Sequence, residues 1–153
     1  MAKTYPGIIL RVLQGSIAEE LELVPGDKIL SVNNMPLRDI IDFSFAMADE
    51  EIEILVEHAD GEQELIEFDK DYDEDFGVEF EHAVFDGIRE CANHCYFCFV
   101  DMIAPDMRHS LSVKDDDYRL SFLYGNFVTL TNMGPADFSR IERFHLSPLY
   151  VSV

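Results

Sequence analysis

A chain of 153 residues, 48% hydrophobic and 12% aromatic, has the length of one domain or two small ones and enough apolar mass for a core, which excludes a disordered protein. Thirty-one acidic side chains against eleven basic ones leave a formal charge of -20, which repels polyanions and argues against nucleic acid as a partner. Met1 to Gly7 lack the apolar run of a signal peptide, and no apolar stretch has the length of a membrane span, so the expectation is a cytoplasmic protein with no membrane partner.

In chain order, the first elements are short apolar runs separated by turn residues. Gly7 to Val12, Lys28 to Val32, Glu51 to Glu57 and Gln63 to Phe68 read as strands, with Pro25-Gly26-Asp27 and Asp60-Gly61 as turns. Ser16-Ile17-Ala18-Glu19 has the form of a capping box and predicts a short helix to about Leu21. A second helix is expected over roughly Leu37 to Ala48, where Ile40, Ile41, Phe43, Phe45 and Met47 make a broad apolar side. These elements define a small β-rich domain over residues 1–68.

Residues 69–82 change character. Between Asp69 and Glu81 seven acidic residues and one Lys surround Tyr72, Phe76, Val78 and Phe80, and the segment reads as a solvated acidic connector; the ligand spacing of a calcium loop is absent. From residue 83 the rhythm lengthens. Ala83 to Arg89 is expected as a strand, Asp116 to Tyr124 as a helix capped by the Asp115-Asp116-Asp117 run and closed by Gly125, and Phe127 to Thr131 as a strand. Pro135 to Phe144 fits a helix with Pro in its first turn, and Leu149 to Val153 begins another strand. Strands alternating with helices predict a parallel α/β sheet. Because the sequence stops inside an apolar run, the expectation is three parallel strands of an incomplete α/β domain over 83–153, in the N-terminal part of a longer protein.

All three cysteines fall in Cys91-Ala92-Asn93-His94-Cys95-Tyr96-Phe97-Cys98. An odd number of thiols in so short a stretch argues against a disulfide framework and for ligands or nucleophiles in a reduced compartment. Three thiolates spaced by three residues and then two can hold three irons of a [4Fe–4S] cluster and leave the fourth iron open. Other readings stay open on the residues alone: buried small hydrophobes, a structural zinc site completed by His94, His109 or His145, or metal-free redox chemistry at Cys95-Tyr96-Phe97-Cys98.

The spacing, the aromatic before the last Cys and the preceding Ala83 to Arg89 segment resemble the cluster loop of radical S-adenosylmethionine enzymes. With Lys114 to Phe127 and Thr129-Leu130-Thr131-Asn132, the chain resembles a bacterial family of Fe–S oxidoreductases that join a PDZ domain to a radical S-adenosylmethionine domain. The resemblance implies that Cys91, Cys95 and Cys98 ligate a [4Fe–4S] cluster and that S-adenosylmethionine chelates the open iron. It also implies an external one-electron donor such as flavodoxin or ferredoxin, and an unknown substrate from which a 5′-deoxyadenosyl radical removes hydrogen. Phe97 is expected near the adenine or in a core. Thr131 and Asn132 stand where most of the superfamily has a Gly-Gly-Glu-like stretch holding the methionine amino group. Tyr118, Arg119 and Asn126 are polar candidates near the strand ends.

Tyr5-Pro6-Gly7-Ile8, Gly15-Ser16-Ile17-Ala18 and Val24 to Asn34 resemble PDZ domains of the bacterial, circularly permuted kind. That resemblance implies a peptide C-terminus as partner, its carboxylate held at Tyr5, Pro6, Gly7 and Ile8 and its backbone added to an open edge of Ile8 to Val12 beside the second helix. The fold class expected is therefore an α+β PDZ-like domain followed by an incomplete α/β domain, a radical S-adenosylmethionine partial barrel. A PDZ-type binding protein with structural zinc at the cysteine loop is the alternative.

Overall fold

The computed structural model describes residues 3–152, which divide after Gly87 into two units. In the first, alternating apolar residues build an antiparallel sheet of β1 (Gly7–Val12), β2 (Lys28–Val32), β3 (Met35–Pro36), β4 (Glu51–Glu57), β5 (Gln63–Asp69) and β6 (Val78–Phe80). The order is β5-β4-β2-β1-β6, with β3 paired to β2. In β4 the period of two is clean: Ile52, Ile54 and Val56 are buried. They join Ile9, Ile29, Val32, Leu37 and Phe43 in one core.

Both helices of this unit begin where a side chain can accept a backbone N–H. Ser16 caps α1 (Ile17–Glu20), its Oγ accepting from Glu19 N at 3.3 Å, while the Glu19 carboxylate accepts from Gly15 N at 2.6 Å. Asp39 caps α2 (Ile40–Ala46), accepting from Asp42 N at 2.9 Å. The second helix therefore starts three residues later than its apolar pattern suggests, and Leu37 serves the core from extended chain instead.

The acidic segment is not a solvated connector. Val78–Phe80 forms β6 and pairs antiparallel with β1 through Ile9↔Phe80, Arg11↔Glu79 and Val12↔Val78. Flanking bonds run from Leu13 N to Gly77 O (2.8 Å), Ala18 N to Phe76 O (3.0 Å) and Glu81 N to Ile8 O (2.9 Å). Phe76 is 2% exposed, stacked on Phe68 at 5.5 Å, and Phe80 meets Phe43 edge-on at 4.9 Å. Lys70 is also buried, its ammonium donating to the carbonyls of Asp71 (3.0 Å) and Glu74 (3.2 Å), so the one cation of the run ties the acidic loop down. The signal was present as Phe76, Val78 and Phe80 at alternate positions, but the density of carboxylates around them masked it.

Two further expectations change with β6. The edge of Ile8 to Val12, reserved for a peptide, is filled by the chain itself, and Tyr5, Pro6, Gly7 and Ile8 therefore do not lead into an open strand edge. Residues 83–89 are not the first strand of the second unit. Instead Val84 bridges Asp39, Ile40 N donates to Ala83 O and Phe85 N to Arg38 O, which binds this stretch to the start of α2.

The second unit contains α3 (Tyr118–Tyr124), β7 (Phe127–Val128), α4 (Pro135–Phe144) and β8 (Tyr150–Val151). Asp117 caps α3, and Gly125 closes it in the left-handed conformation at φ 76°. Pro135 opens α4, where the Asp137 carboxylate accepts from Gly134 N at 2.9 Å. β7 and β8 pair in parallel, Phe127↔Tyr150 and Val128↔Val151, with α4 as the crossover between them. The parallel strands described are thus two rather than three, and Val153, the end of the expected last strand, lies outside the described residues. No helix among the described residues is long and apolar enough to cross a membrane.

The turn into β6 makes a testable demand on Gly77. Its φ is +84°, and a Cβ there would lie 2.1 Å from the Ser16 Cβ, whereas Gly61 at φ +88° faces nothing within 4 Å. Gly77→Ala should destabilise the first unit by about 2–4 kcal/mol, from left-handed strain plus overpacking, and Gly61→Ala by only about 1–2 kcal/mol from strain alone. Urea unfolding followed by circular dichroism measures both, and equal losses would mean that the Gly77 contact is not a tight one.

Candidate functional site

The cysteine loop is gathered at a neck. Asp116 N donates to Arg89 O at 2.8 Å, Glu90 bridges Asp115 antiparallel, and Cys91 N donates to Lys114 O at 2.7 Å. Residues 89–91 and 114–116 are thereby zipped, and the chain between them leaves as one loop of turns with a short 3-10 turn at His109–Leu111. Asp117 locks the neck from behind: its carboxylate accepts from Arg89 N at 3.1 Å and from Arg119 N at 3.0 Å.

That carboxylate is fully buried, and so is its ionic partner. Arg119 Nε and Nη2 reach the two Asp117 oxygens at 2.8 Å and 2.6 Å, a bidentate pair. Burial by itself pushes the Asp117 carboxyl up, but the Arg119 guanidinium and the backbone donors outweigh it and hold the group below the usual carboxylate range. Tyr118 is buried as well: its hydroxyl accepts from Arg140 Nη1 at 3.0 Å, and Arg89, itself paired to Asp137 at 2.8 Å, lies over its ring. Tyr118 and Arg119 are structural, and only Asn126 of the three polar candidates faces the site.

Alongside β7 lies a cavity of about 420 Å3, lined among others by Cys91, Cys98, Lys114 and Asp115, by Asn126 just before the strand and by Thr129 just after it. Asp116 fixes the strand exit, accepting from Thr129 N at 2.6 Å and from Thr129 Oγ1 at 2.7 Å, while Asp115 accepts from Asn126 at 2.9 Å. Thr131 Oγ1 accepts from Asn93 on the cysteine loop at 2.8 Å and shares a hydrogen bond with Thr129 Oγ1. Asn132 donates from Nδ2 to the carbonyls of Asp116 (3.1 Å) and Glu90 (3.4 Å), and those two acceptors fix the orientation of its amide. Its Oδ1 is left buried without a hydrogen-bond partner. A buried acceptor in that condition favours a donor brought by a ligand.

The thiols themselves are less assembled than the sequence suggests. Cys91 and Cys98 are partly buried at the cavity, but Cys95 is exposed, and no three His, Cys, Asp or Glu side chains among the described residues are close enough to hold a metal ion. Among the described residues the three sulfurs are thus not gathered on one point, and no tetrahedral group with His94, His109 or His145 is formed. Tyr96 is 93% and Phe97 68% exposed, and the two rings meet edge-on. Phe97 is accordingly no core aromatic. Metal sites of this kind are commonly completed by the metal, whose binding energy orders the ligands.

Sequence reasoning passed over Asn93, Lys114, Asp115, Asp116 and Thr129. The Asp115 to Asp117 run was read only as helix capping, which is the role of Asp117 alone.

Comparison with known proteins places these observations. The family described as Radical SAM-like domain matches residues 70–153, more than half of the chain, and the family described as PDZ domain matches residues 8–58. No curated protein matches the sequence. Among solved structures, the chain is similar to the PDZ domain of an SdrC-like protein from Listeria innocua, at 17% identity and a TM-score of 0.42, covering 52% of this chain and 98% of that one.

The buried pair at the neck sets an expectation for stability. Arg119→Met should leave the Asp117 charge buried without its cation and cost the second unit about 3–5 kcal/mol. In the native protein the lowered Asp117 value contributes stability that is present above the ordinary carboxylate pKa of about 3.9 and is lost as pH falls through the lower folded value. In Arg119→Met the sign reverses, because an unpaired buried carboxyl is raised, so the deficit should narrow on acidification toward about pH 4. Near-ultraviolet circular dichroism melts from pH 3 to 8 read this difference, and a deficit independent of pH would be the contrary result.

Proposed function

The chain belongs to the radical SAM-like domain family, and from that membership we propose that it binds a [4Fe–4S] cluster through Cys91, Cys95 and Cys98 and initiates radical chemistry from S-adenosylmethionine on a substrate of its own. The observation that carries the reading is the cavity alongside β7, which two of the three thiols line together with Asn126 and Thr129, with Asn132 bonded to the neck of the same loop. The donor set fits the group: three soft sulfurs on one loop suit iron–sulfur ligation, and their spacing leaves one iron without a protein ligand. The orphaned Asn132 Oδ1 fits an ammonium, such as the methionine amino group of S-adenosylmethionine, where most of the superfamily uses a Gly-Gly-Glu-like stretch.

When bound, the cluster supplies one electron for cleavage of the S-adenosylmethionine sulfonium bond, and the resulting 5′-deoxyadenosyl radical takes hydrogen from substrate; that chemistry belongs to the cofactor. The chain's own residues bind and orient. The neck of 89–91 on 114–116 presents Cys91 at a fixed height above the strand ends, the Asn93–Thr131 bond fastens the thiol loop to the segment after β7, and Asn132 offers its acceptor. An external one-electron donor such as flavodoxin or ferredoxin completes the cycle.

The test is metal and sulfide content of the anaerobically purified full-length protein, with cleavage of S-adenosylmethionine under reducing conditions. Iron with acid-labile sulfide and formation of 5′-deoxyadenosine are expected, and Cys95→Ala should abolish the cleavage. Stoichiometric zinc without sulfide, or normal cleavage by Cys95→Ala, would sink the reading. Asn132→Ala should retain iron but weaken S-adenosylmethionine binding by roughly tenfold, the worth of one hydrogen bond to a charged group.

A further inference from the structure

We propose that the ion pair of Lys114 and Asp101 sets the charge around the cysteine loop, Lys114 as a positioning residue that makes the bound cluster easier to reduce and Asp101 as the anion that moderates it. This rests on the cluster reading above. Lys114 acts on the loop twice. Its carbonyl accepts from Cys91 N at 2.7 Å, and its ammonium, in the wall of the cavity shared by Cys91 and Cys98, reaches Asp101 at 2.5 Å. Asp101 stands three residues after Cys98. The pair therefore spans the loop from the first thiol to the last.

Its two charges are not equivalent. The Lys114 side chain is 19% exposed and that of Asp101 48%, so the cation is the inner, less screened member and the anion the outer one. The ammonium and the carboxylate form a direct ion pair. A half-exposed pair of this kind adds little to stability. Its consequence is electrostatic: three thiolates make an anionic site, an added electron makes it more so, and the reduction potential of a cluster follows net charge, hydrogen bonds to sulfur and solvent exposure. The rest of the chain carries a large excess of negative charge, against which a partly buried ammonium beside two ligands is the favourable local field.

A mechanical clasp and an electrostatic device are separated by the sign of the response. The full-length protein, Lys114→Gln, Lys114→Arg and Asp101→Asn are compared by redox titration under argon, with the reduced cluster read by electron paramagnetic resonance and iron and sulfide assayed in each. Lys114→Gln should lower the ratio of reduced to oxidised cluster at a fixed potential on the order of tenfold, about 59 mV for one electron. Lys114→Arg should restore it, and Asp101→Asn should move it the opposite way by a smaller amount. Shifts of the same sign in Lys114→Gln and Asp101→Asn, or unchanged potentials with less iron bound, would overturn the proposal and leave a structural clasp. If Lys114→Gln takes up no cluster, the sign in Asp101→Asn decides alone. Wild-type protein without iron and sulfide would remove the cluster reading itself, and the proposal with it.

Discussion

Two adjacent carboxylates, Asp116 and Asp117, hold the second unit's candidate site in place. Asp116 faces forward and takes both the N–H and the hydroxyl of Thr129, which fixes where β7 ends. Asp117 faces backward and takes Arg89 N, the start of α3 and the Arg119 guanidinium. Between them they tie the stem of the cysteine loop to the strand exit. Both are almost fully buried, so each needs its full complement of donors, and a substitution at either leaves a charge or several N–H groups without a partner. The rigidity of the neck contrasts with the looseness of the loop it carries. The same loop whose first thiol is confined by the neck leaves Cys95 at the surface.

The first unit depends on a different constraint, the completion of a sheet. β1 pairs with β2 on one side, and without β6 it would expose an edge on the other. Phe76, Val78 and Phe80 supply the missing strand and part of the core, with Phe76 between Phe68 and Phe43. Because the acidic run is anchored from Lys70 through Phe80, its carboxylates are displayed on a built surface rather than on a tether. The edge that the sequence reserved for a peptide is thus closed by the chain's own backbone.

Electrostatics runs through both units in the same manner. Few cations are available, and the buried ones each hold acceptors of the fold: Lys70 two backbone carbonyls, Arg119 the Asp117 carboxylate, Arg140 the Tyr118 hydroxyl. Lys114 differs from these in facing the cavity with the thiols.

The sequence by itself determined the elements whose cause is local. The strands at Gly7–Val12, Lys28–Val32 and Glu51–Glu57 follow from apolar runs between turn residues, and the helix at Pro135–Phe144 from its proline start. The cysteine spacing is likewise legible without the fold, because residue type and separation on one loop are properties of the chain alone. Tertiary structure decided what depended on a partner distant in sequence. Only the pairing of β6 with β1 reveals that an acidic run is a strand, and only the contacts of Val84 and Phe85 with Arg38 and Asp39 take that stretch out of the second unit's sheet. The cavity groups Asn126 and Thr129 are held by hydrogen bonds to Asp115 and Asp116, and Asn132 by bonds to the neck; no periodicity encodes those bonds, since each depends on a single side chain.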